Sequence, residues 1–342
     1  MNTSAIVGAI GRVLKWAPAV IFIVLIATFA SLSPRFLTVQ NLGAILVQSS
    51  WLIVVALGIN FVLLTAGVDL SVGAAMYLAA VGVCLGIPEA PVWIALLASI
   101  VVGAAFGAVN ASLIVRLSLP AFIVTLATLF IGRSLGLFFS STRIVYANRE
   151  IADFGRAALW GIPMPLWVAG AAIAVSWVLL NRTALGPSIR SIGADAEGAR
   201  RVGVPTKPVT WGVYALCGGF AGLGGFVSLS QTSAASGAFG QNSEFLAIAA
   251  AVLGGTSLFG GRGNLWAPVI GAILIMIVQN GLVIIDANPY AYPVITGAVI
   301  FIAALLDSIR SHLQTRLEKR AVRPAATDAA PVFNSVATRT NR

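Results

Sequence analysis

Residues 182–204 read RTALGPSIRSIGADAEGARRVGV, a charged interruption between stretches at 165–181 and 210–230 that are too hydrophobic for a soluble protein. Working outward from it, apolar stretches recur near 17–32, 41–64, 70–87, 92–115, 121–140, 245–259, 265–285 and 291–306. Hydrophobic residues make up 58% of the chain and charged residues only 9%, against roughly 25% charged in an ordinary soluble domain. The fold class this sets is an all-α polytopic membrane protein of about ten transmembrane helices, with no barrel. Several stretches fall short of the ~20 residues a crossing needs. Those carry Gly or Pro at their ends, as broken or tilted helices do. Gly103, Gly107, Gly218, Gly222 and Gly225 recur at close helical spacing, so helices bearing them can approach backbone to backbone.

Basic residues set the orientation, because Lys and Arg loops stay on the cytoplasmic side. With both termini cytoplasmic and ten crossings, 16 of the 21 Lys and Arg fall inside, five of them between Arg182 and Lys207. Arg35, Arg143, Arg149 and Arg156 fall outside, and Arg133 lies within a predicted crossing. The net charge of +10 is thereby accounted for by topology and by attraction to anionic lipid, and it does not call for nucleic acid. The domain reading is a transmembrane region, 1–309, carrying the charged loop at 188–204, followed by a basic, disordered cytoplasmic tail, 310–342. The first apolar stretch, with Arg12 and Lys15 ahead of it, resembles a signal peptide, but nine further stretches make an uncleaved first helix the simpler reading.

Within the charged loop, Asp195 can cap the free amides of a short helix and Glu197 suits its positive end. Arg200 and Arg201 suit its negative end, Gly203 can close it in a left-handed conformation, and Pro205 and Pro208 stop its continuation. A two-turn helix at the membrane surface is expected, presented as a docking handle or else as an ordinary positive-inside loop.

Three further motifs occur in order: GVDLSVG at 67–73, LPAFIVTLAT at 119–128 and AAAVLGGTSLFGGRG at 249–263. With the charged loop they resemble the membrane permease subunit of bacterial ABC sugar importers of the ribose, xylose, arabinose and galactofuranose type, over about residues 35–308. The resemblance implies a multi-pass protein of the bacterial inner membrane that carries a monosaccharide. It implies that Ser191 to Val204 docks in a groove of a separate ATPase subunit, through Ser191, Gly193, Asp195, Glu197, Ala199, Arg200 and Gly203. It further implies ATP and Mg on that partner and no cofactor in this chain, an extracytoplasmic sugar-binding protein, and a second permease copy. Where the family has Ala-Ala after its acidic pair, this chain has Gly198-Ala199, at a cost of up to ~1 kcal/mol of helix propensity. The branched-chain amino-acid ABC permease is the nearest alternative, and an ion-coupled secondary transporter a more distant one.

Asp69 reads either as the N-cap of a helix from Leu70 or as a substrate contact. Glu244 precedes its own apolar run as Asp69 does, five stretches later, as expected of inverted halves with a path between them. On that reading Asn60, Asp69, Asn110, Glu244, Gln279 and Asn280 line the path, although polar groups in apolar helices also join helices together. Acidic residues are too scarce in the apolar stretches to favour ion coupling, and no catalytic cluster or nucleophile elbow is present. Gly255 to Arg262 has the glycines of a phosphate loop but lacks its Lys and hydroxyl, so ATP binding is not expected here. Cys84 and Cys217 read as buried apolar residues and the lone His312 as a solvated tail residue. The loop from Ser141 to Pro163, with Arg143, Arg149, Glu150, Asp153 and Arg156, is a candidate docking surface for the binding protein, or a solvated connection.

Overall fold

The structure is a computed structural model that describes residues 17–298, with Phe301 and Leu305. Residues 310–342, expected as a basic tail, and His312 lie outside the described residues. The rest is helical: α1 (Ala17–Leu32), α2 (Val39–Leu64), α3 (Val72–Gly86), α4 (Val92–Arg116), α5 (Ala121–Phe139), α6 (Arg149–Arg156), α7 (Met164–Asn181), α8 (Leu185–Ala194), α9 (Ala196–Arg201), α10 (Thr206–Thr232), α11 (Ser243–Leu253) and α12 (Trp266–Ile284). Four two-residue strands form two small ladders, one pairing Val145–Tyr146 with Ala234–Ala235, the other Ala158–Leu159 with Ile162–Pro163.

Among the described residues six helices, α2, α4, α5, α7, α10 and α12, are long and apolar enough to cross a membrane. They divide by surroundings: the apolar windows of α2, α10 and α12 are 61–72% buried, those of α4, α5 and α7 only 22–33%. The first three are the centre of the bundle and the others its outer shell.

Between lipid-facing helices the hydrophobic effect gives no drive to associate, so contact must come from close packing. The glycines supply it, as their spacing predicts. A Cβ on Gly103 would strike the carbonyl of Gly218, one on Gly218 that of Gly103, and one on Gly222 that of Ser99, so α4 and α10 meet backbone to backbone. Gly225, one turn further along α10, leaves room for the backbone of Met76 in α3.

Two of the ten predicted stretches are not continuous crossings. The helix expected from residue 70 begins only at Val72, and the one expected over 245–259 ends at Leu253, where Gly254 and Gly255 (φ +105°) turn the chain. At 1.5 Å per residue neither α3, 15 residues, nor α11, 11 residues, spans the ~30 Å of hydrocarbon. Non-helical segments, 65–71 and 233–242, lead into them. Such backbone is tolerated at membrane depth only inside protein, and Asp69, Leu70 and Ser71 are accordingly buried. The tenth stretch is helical over 292–298 and then leaves the described residues.

The two short helices run in opposite senses. Segment 65–71 starts at the end of the bundle that bears residues 182–204, where the Leu64 carbonyl accepts from Gly261 N (3.1 Å), and α3 continues to the other end, where Asn148 bonds the carbonyls of Pro88 and Ala90 (both 3.0 Å). Segment 233–242 starts at that other end, and α11 returns to the first, where Thr256 Oγ1 donates to Asn60 Oδ1 (2.6 Å). The starts of α3 and α11 meet inside the protein, Gly73 packing on Gly240 and Glu244.

Gly218→Ala should place a methyl in the α4 backbone and cost about 1–3 kcal/mol by overpacking, read as a lower thermal midpoint in detergent. Gly212→Ala on the same helix meets nothing within 4 Å and should leave the midpoint unchanged or slightly higher.

Candidate functional site

Two places combine unusual polarity with a defined shape: the 182–204 segment at one end, and a cavity beside the start of α11.

The charged segment forms two helices rather than the single two-turn helix expected. The ten residues of α8 form a helix that was not expected; Gly186 and Pro187 sit in its first turn, where a missing N–H costs nothing. Gly186, Ile189, Ile192 and Gly193 are buried on its inner face. A Cβ on Gly193 would strike the Leu64 carbonyl and Gly261 N, so this glycine seats α8 on both the end of α2 and the Gly-rich turn. Asp195 then reverses the chain and caps α9, its Oδ1 accepting from Glu197 N (3.1 Å), as its position predicts. Gly198, the departure from the family pattern, lies under that cap: a Cβ there would come within 2.5 Å of Asp195 Oδ2. Gly203 is left-handed (φ +87°), and Val204 N closes on Ala199 O (3.0 Å). Pro208 is not a breaker but lies in the first turn of α10, which begins at Thr206.

Of α9 only Ala199 is buried. Ser191 is exposed, and its carbonyl accepts from Asp195 N (3.0 Å). Glu197 receives Arg200 Nη2 (2.8 Å) and Nε (3.0 Å) and Arg201 Nε (3.3 Å). The hydrogen bonds from Arg200, then those from Arg201, hold the Glu197 carboxyl below its ordinary value, and Glu197 in turn raises Arg200. Beside this helix the Gly-rich turn is closed by Ser257 N to Arg262 O (2.9 Å) and fastened to α2 through Thr256 and Asn60, leaving Phe259 91% exposed at its tip.

At the other place, a cavity of about 660 Å³ lies between α2, the start of α11, the end of α12 and residues 292–297. Gln48, Gln241, Asn242, Gln279 and Asn280 bring side-chain amides to it, with Phe245 and Tyr292 as aromatic walls. Asn280 is only 7% exposed and its Oδ1 is buried without a protein partner. A second groove, about 720 Å³ between α4, α7 and α10, is walled by Trp93, Trp167, Trp211 and aliphatic side chains and offers a polyol little to bond.

The residues expected on the path therefore separate. Gln279 and Asn280 line the cavity, and Glu244, 3% exposed, lies just behind its wall. Asn60 joins α2 to the Gly-rich turn at the opposite end, its Nδ2 reaching Asn264 O (3.4 Å). Asp69 is not the N-cap expected: its Oδ1 accepts from Ser71 N (2.8 Å) and Ser71 Oγ (2.6 Å), a local turn two residues ahead of the helix. Asn110 Nδ2 donates to Ser71 Oγ (2.7 Å) and Tyr214 OH to Val68 O (3.3 Å), so this group braces the break before α3. Gln48, Gln241 and Asn242 were missed by sequence reasoning. Their signal was amides at the edge of apolar stretches, visible only once the broken helix is placed.

In the region of residues 141–163 Asn148 caps α6 (Ile151 N to Oδ1, 3.0 Å), Glu150 accepts from Val92 N (3.0 Å), and Arg149 pairs with Asp153 (3.4 Å). Among the described residues no group of three His, Cys, Asp or Glu could hold a metal ion.

Residues 41–304 match the family described as branched-chain amino acid transport system / permease component. The chain is 35% identical over 293 residues to the ribose import permease protein RbsC of Escherichia coli (strain K12), covering 84% of this chain and 91% of that protein. It is 35% identical over 303 residues to the D-allose transport system permease protein AlsC of the same strain, 87% and 92% covered. It is 34% identical over 316 residues to the galactose/methyl galactoside import permease protein MglC of Salmonella typhimurium (strain LT2), 85% and 93% covered. No solved structure matches.

Asp195→Ala should cost α9 about 0.5–2 kcal/mol, seen as faster amide exchange over residues 196–201 at constant pH. A carboxyl held below its ordinary 4.5 contributes fully at neutral pH and loses its pairing only as pH falls through the lowered value. Loss of the Arg200 Nε–H signal well above pH 4.5 would contradict that pairing.

Proposed function

The chain belongs to the branched-chain amino acid transport system / permease component family, and from that premise we propose that it is the membrane-spanning subunit of an ATP-driven ABC importer for a monosaccharide. The observation that carries the reading is the cavity of neutral amides flanked by aromatic rings, beside the meeting point of two half helices. Amides can both donate to and accept from sugar hydroxyls, and rings suit the apolar faces of a sugar. The relatives at 34–35% identity are sugar permeases, so the branched-chain alternative is disfavoured.

In this reading the chain crosses the bacterial inner membrane ten times with both termini cytoplasmic, and its two halves are inverted, each holding one half helix. Ser191 to Val204 docks on an ATPase subunit that binds ATP and Mg, and this chain hydrolyses none. The Ser141 to Pro163 region receives an extracytoplasmic sugar-binding protein, and a second permease copy completes the path. Exposure of Glu197, Arg200 and Arg201 on a helix whose neighbour α8 is firmly seated supports the docking role, since the handle is presented while its base is fixed.

Co-purification with a nucleotide-binding subunit in mild detergent, with ATPase activity in the eluate, is the expected outcome. In vesicles the complex with its binding protein should take up a monosaccharide and not leucine; uptake of leucine alone would reverse the assignment. Glu197→Ala with Arg200→Ala should abolish ATP-driven uptake while leaving membrane insertion intact. Asn280→Leu should reduce uptake about 2- to 10-fold, the loss of one hydrogen bond of roughly 0.5–1.5 kcal/mol.

A further inference from the structure

Arg133 is a guanidinium in the middle of α5, a costly place for a charge and so one that calls for a reason. Half of it is explained. Nη1 donates to the carbonyls of Phe239 (2.8 Å) and Gly237 (3.3 Å), satisfying backbone groups of the non-helical segment ahead of α11. The other half is not, because Nη2 is buried without a protein partner, and so is Glu244 Oε2 in the first turn of α11. Both atoms lie within 3.4 Å of the point where a Cβ on Gly73 would sit, yet the two residues form no ion pair within 4.0 Å.

This spacing is informative. A buried pair serving structure alone gains most by direct contact, which offsets the desolvation of both charges. Held more than 4.0 Å apart, the two unpartnered atoms can instead share one oxygen that accepts from the guanidinium and donates to the carboxylate, through two charge-assisted hydrogen bonds of about 2.7–2.9 Å. Water and an alcohol both have that chemistry. On the α3 side only Gly73 fits against the pair, since a Cβ there would strike Glu244 Oε2 and the Gly240 carbonyl. The wall in front is the segment ending in Gly240 (φ +66°) and Asn242 (φ +61°), which sends Gln241 and Asn242 to the amide cavity. Residues of both half helices, Gly73 and Glu244, thus converge on the gap from opposite halves of the chain.

We propose that Arg133 and Glu244 form a hydroxyl-binding station behind the amide cavity, which grips one hydroxyl of the passing monosaccharide and makes these two residues determinants of sugar specificity. The proposal rests on the sugar-permease reading above. Arg133 also positions the cavity wall through its two carbonyl bonds, whereas Glu244 acts on the hydroxyl alone.

The test uses the full complex of permease, ATPase and binding protein in proteoliposomes, supplied with D-ribose and with its singly deoxygenated analogues at concentrations saturating the binding protein. Glu244→Gln is isosteric and spares the fold; Arg133→Lys keeps the charge but loses the fork; Gly73→Ala presses a methyl against Glu244 Oε2 and the Gly240 carbonyl. Because the binding protein is common to all, a change in the ratio between sugars belongs to the membrane subunit. In the wild type one analogue should be disfavoured, and that preference should fall about tenfold or more in Glu244→Gln and Gly73→Ala, since discrimination against a missing hydroxyl depends on leaving polar groups unpaired. Equal loss of uptake for all sugars, with the ratio unchanged, would overturn the station and leave a water-filled structural pair, the importer reading surviving. If the wild-type complex takes up no monosaccharide, both readings fall together.

Discussion

A peptide group in hydrocarbon has no water to bond, so a chain that breaks its helices inside a membrane must surround each break with protein. Every distinctive feature of this fold follows from that constraint. The chain breaks twice, over 65–71 and 233–242, and at each break side chains take up the freed backbone groups. Asp69, Ser71 and Tyr214 serve the first. Arg133 serves the second, donating to two carbonyls that no helix could satisfy.

Enclosing the breaks requires helices closer than bulky side chains allow. The glycine seam between α4 and α10 meets that need, bringing two backbones into contact and drawing α3 in against Gly225. The gain is dispersion and the removal of voids rather than the hydrophobic effect, because lipid chains are as apolar as the side chains they replace. Bulk at these glycines would push α10 outward and expose the breaks it covers.

The same economy joins the two functional places. Gly193 of α8 rests on the end of α2 and on the Gly-rich turn, and that turn follows directly from α11. The cavity is lined by Gln48 from α2 and by Phe245 from α11. Contacts are therefore continuous from the exposed α9 to two of the elements that wall the amide cavity, α2 and α11. In the importer reading, these packed elements are the route by which docking of a partner ATPase at the charged end would act on the cavity.

Much of this was legible in the residues. Low charge and repeated apolar stretches determined a helical membrane protein, because water-soluble folds need a charged surface that this chain lacks. Asp195, Glu197 and Gly203 announced a capped and terminated helix, since capping is a local interaction readable over a few positions. The glycine spacing foretold close helix approach for the same reason. Tertiary structure alone decided where helices stop short: Val72 rather than Leu70 begins α3 because Asp69 folds onto Ser71, and α8 forms across Gly186 and Pro187 because its inner face is held by Leu64 and Gly261. It also sorted the polar residues, sending Asn60 to fasten a turn, Asp69 and Asn110 to brace a break, and Gln279 and Asn280 to a cavity. The sequence determined what each segment can be, through periodicity and capping that act within a few residues; which polar groups face one another was decided by contacts up to two hundred residues apart, and no local pattern encodes those.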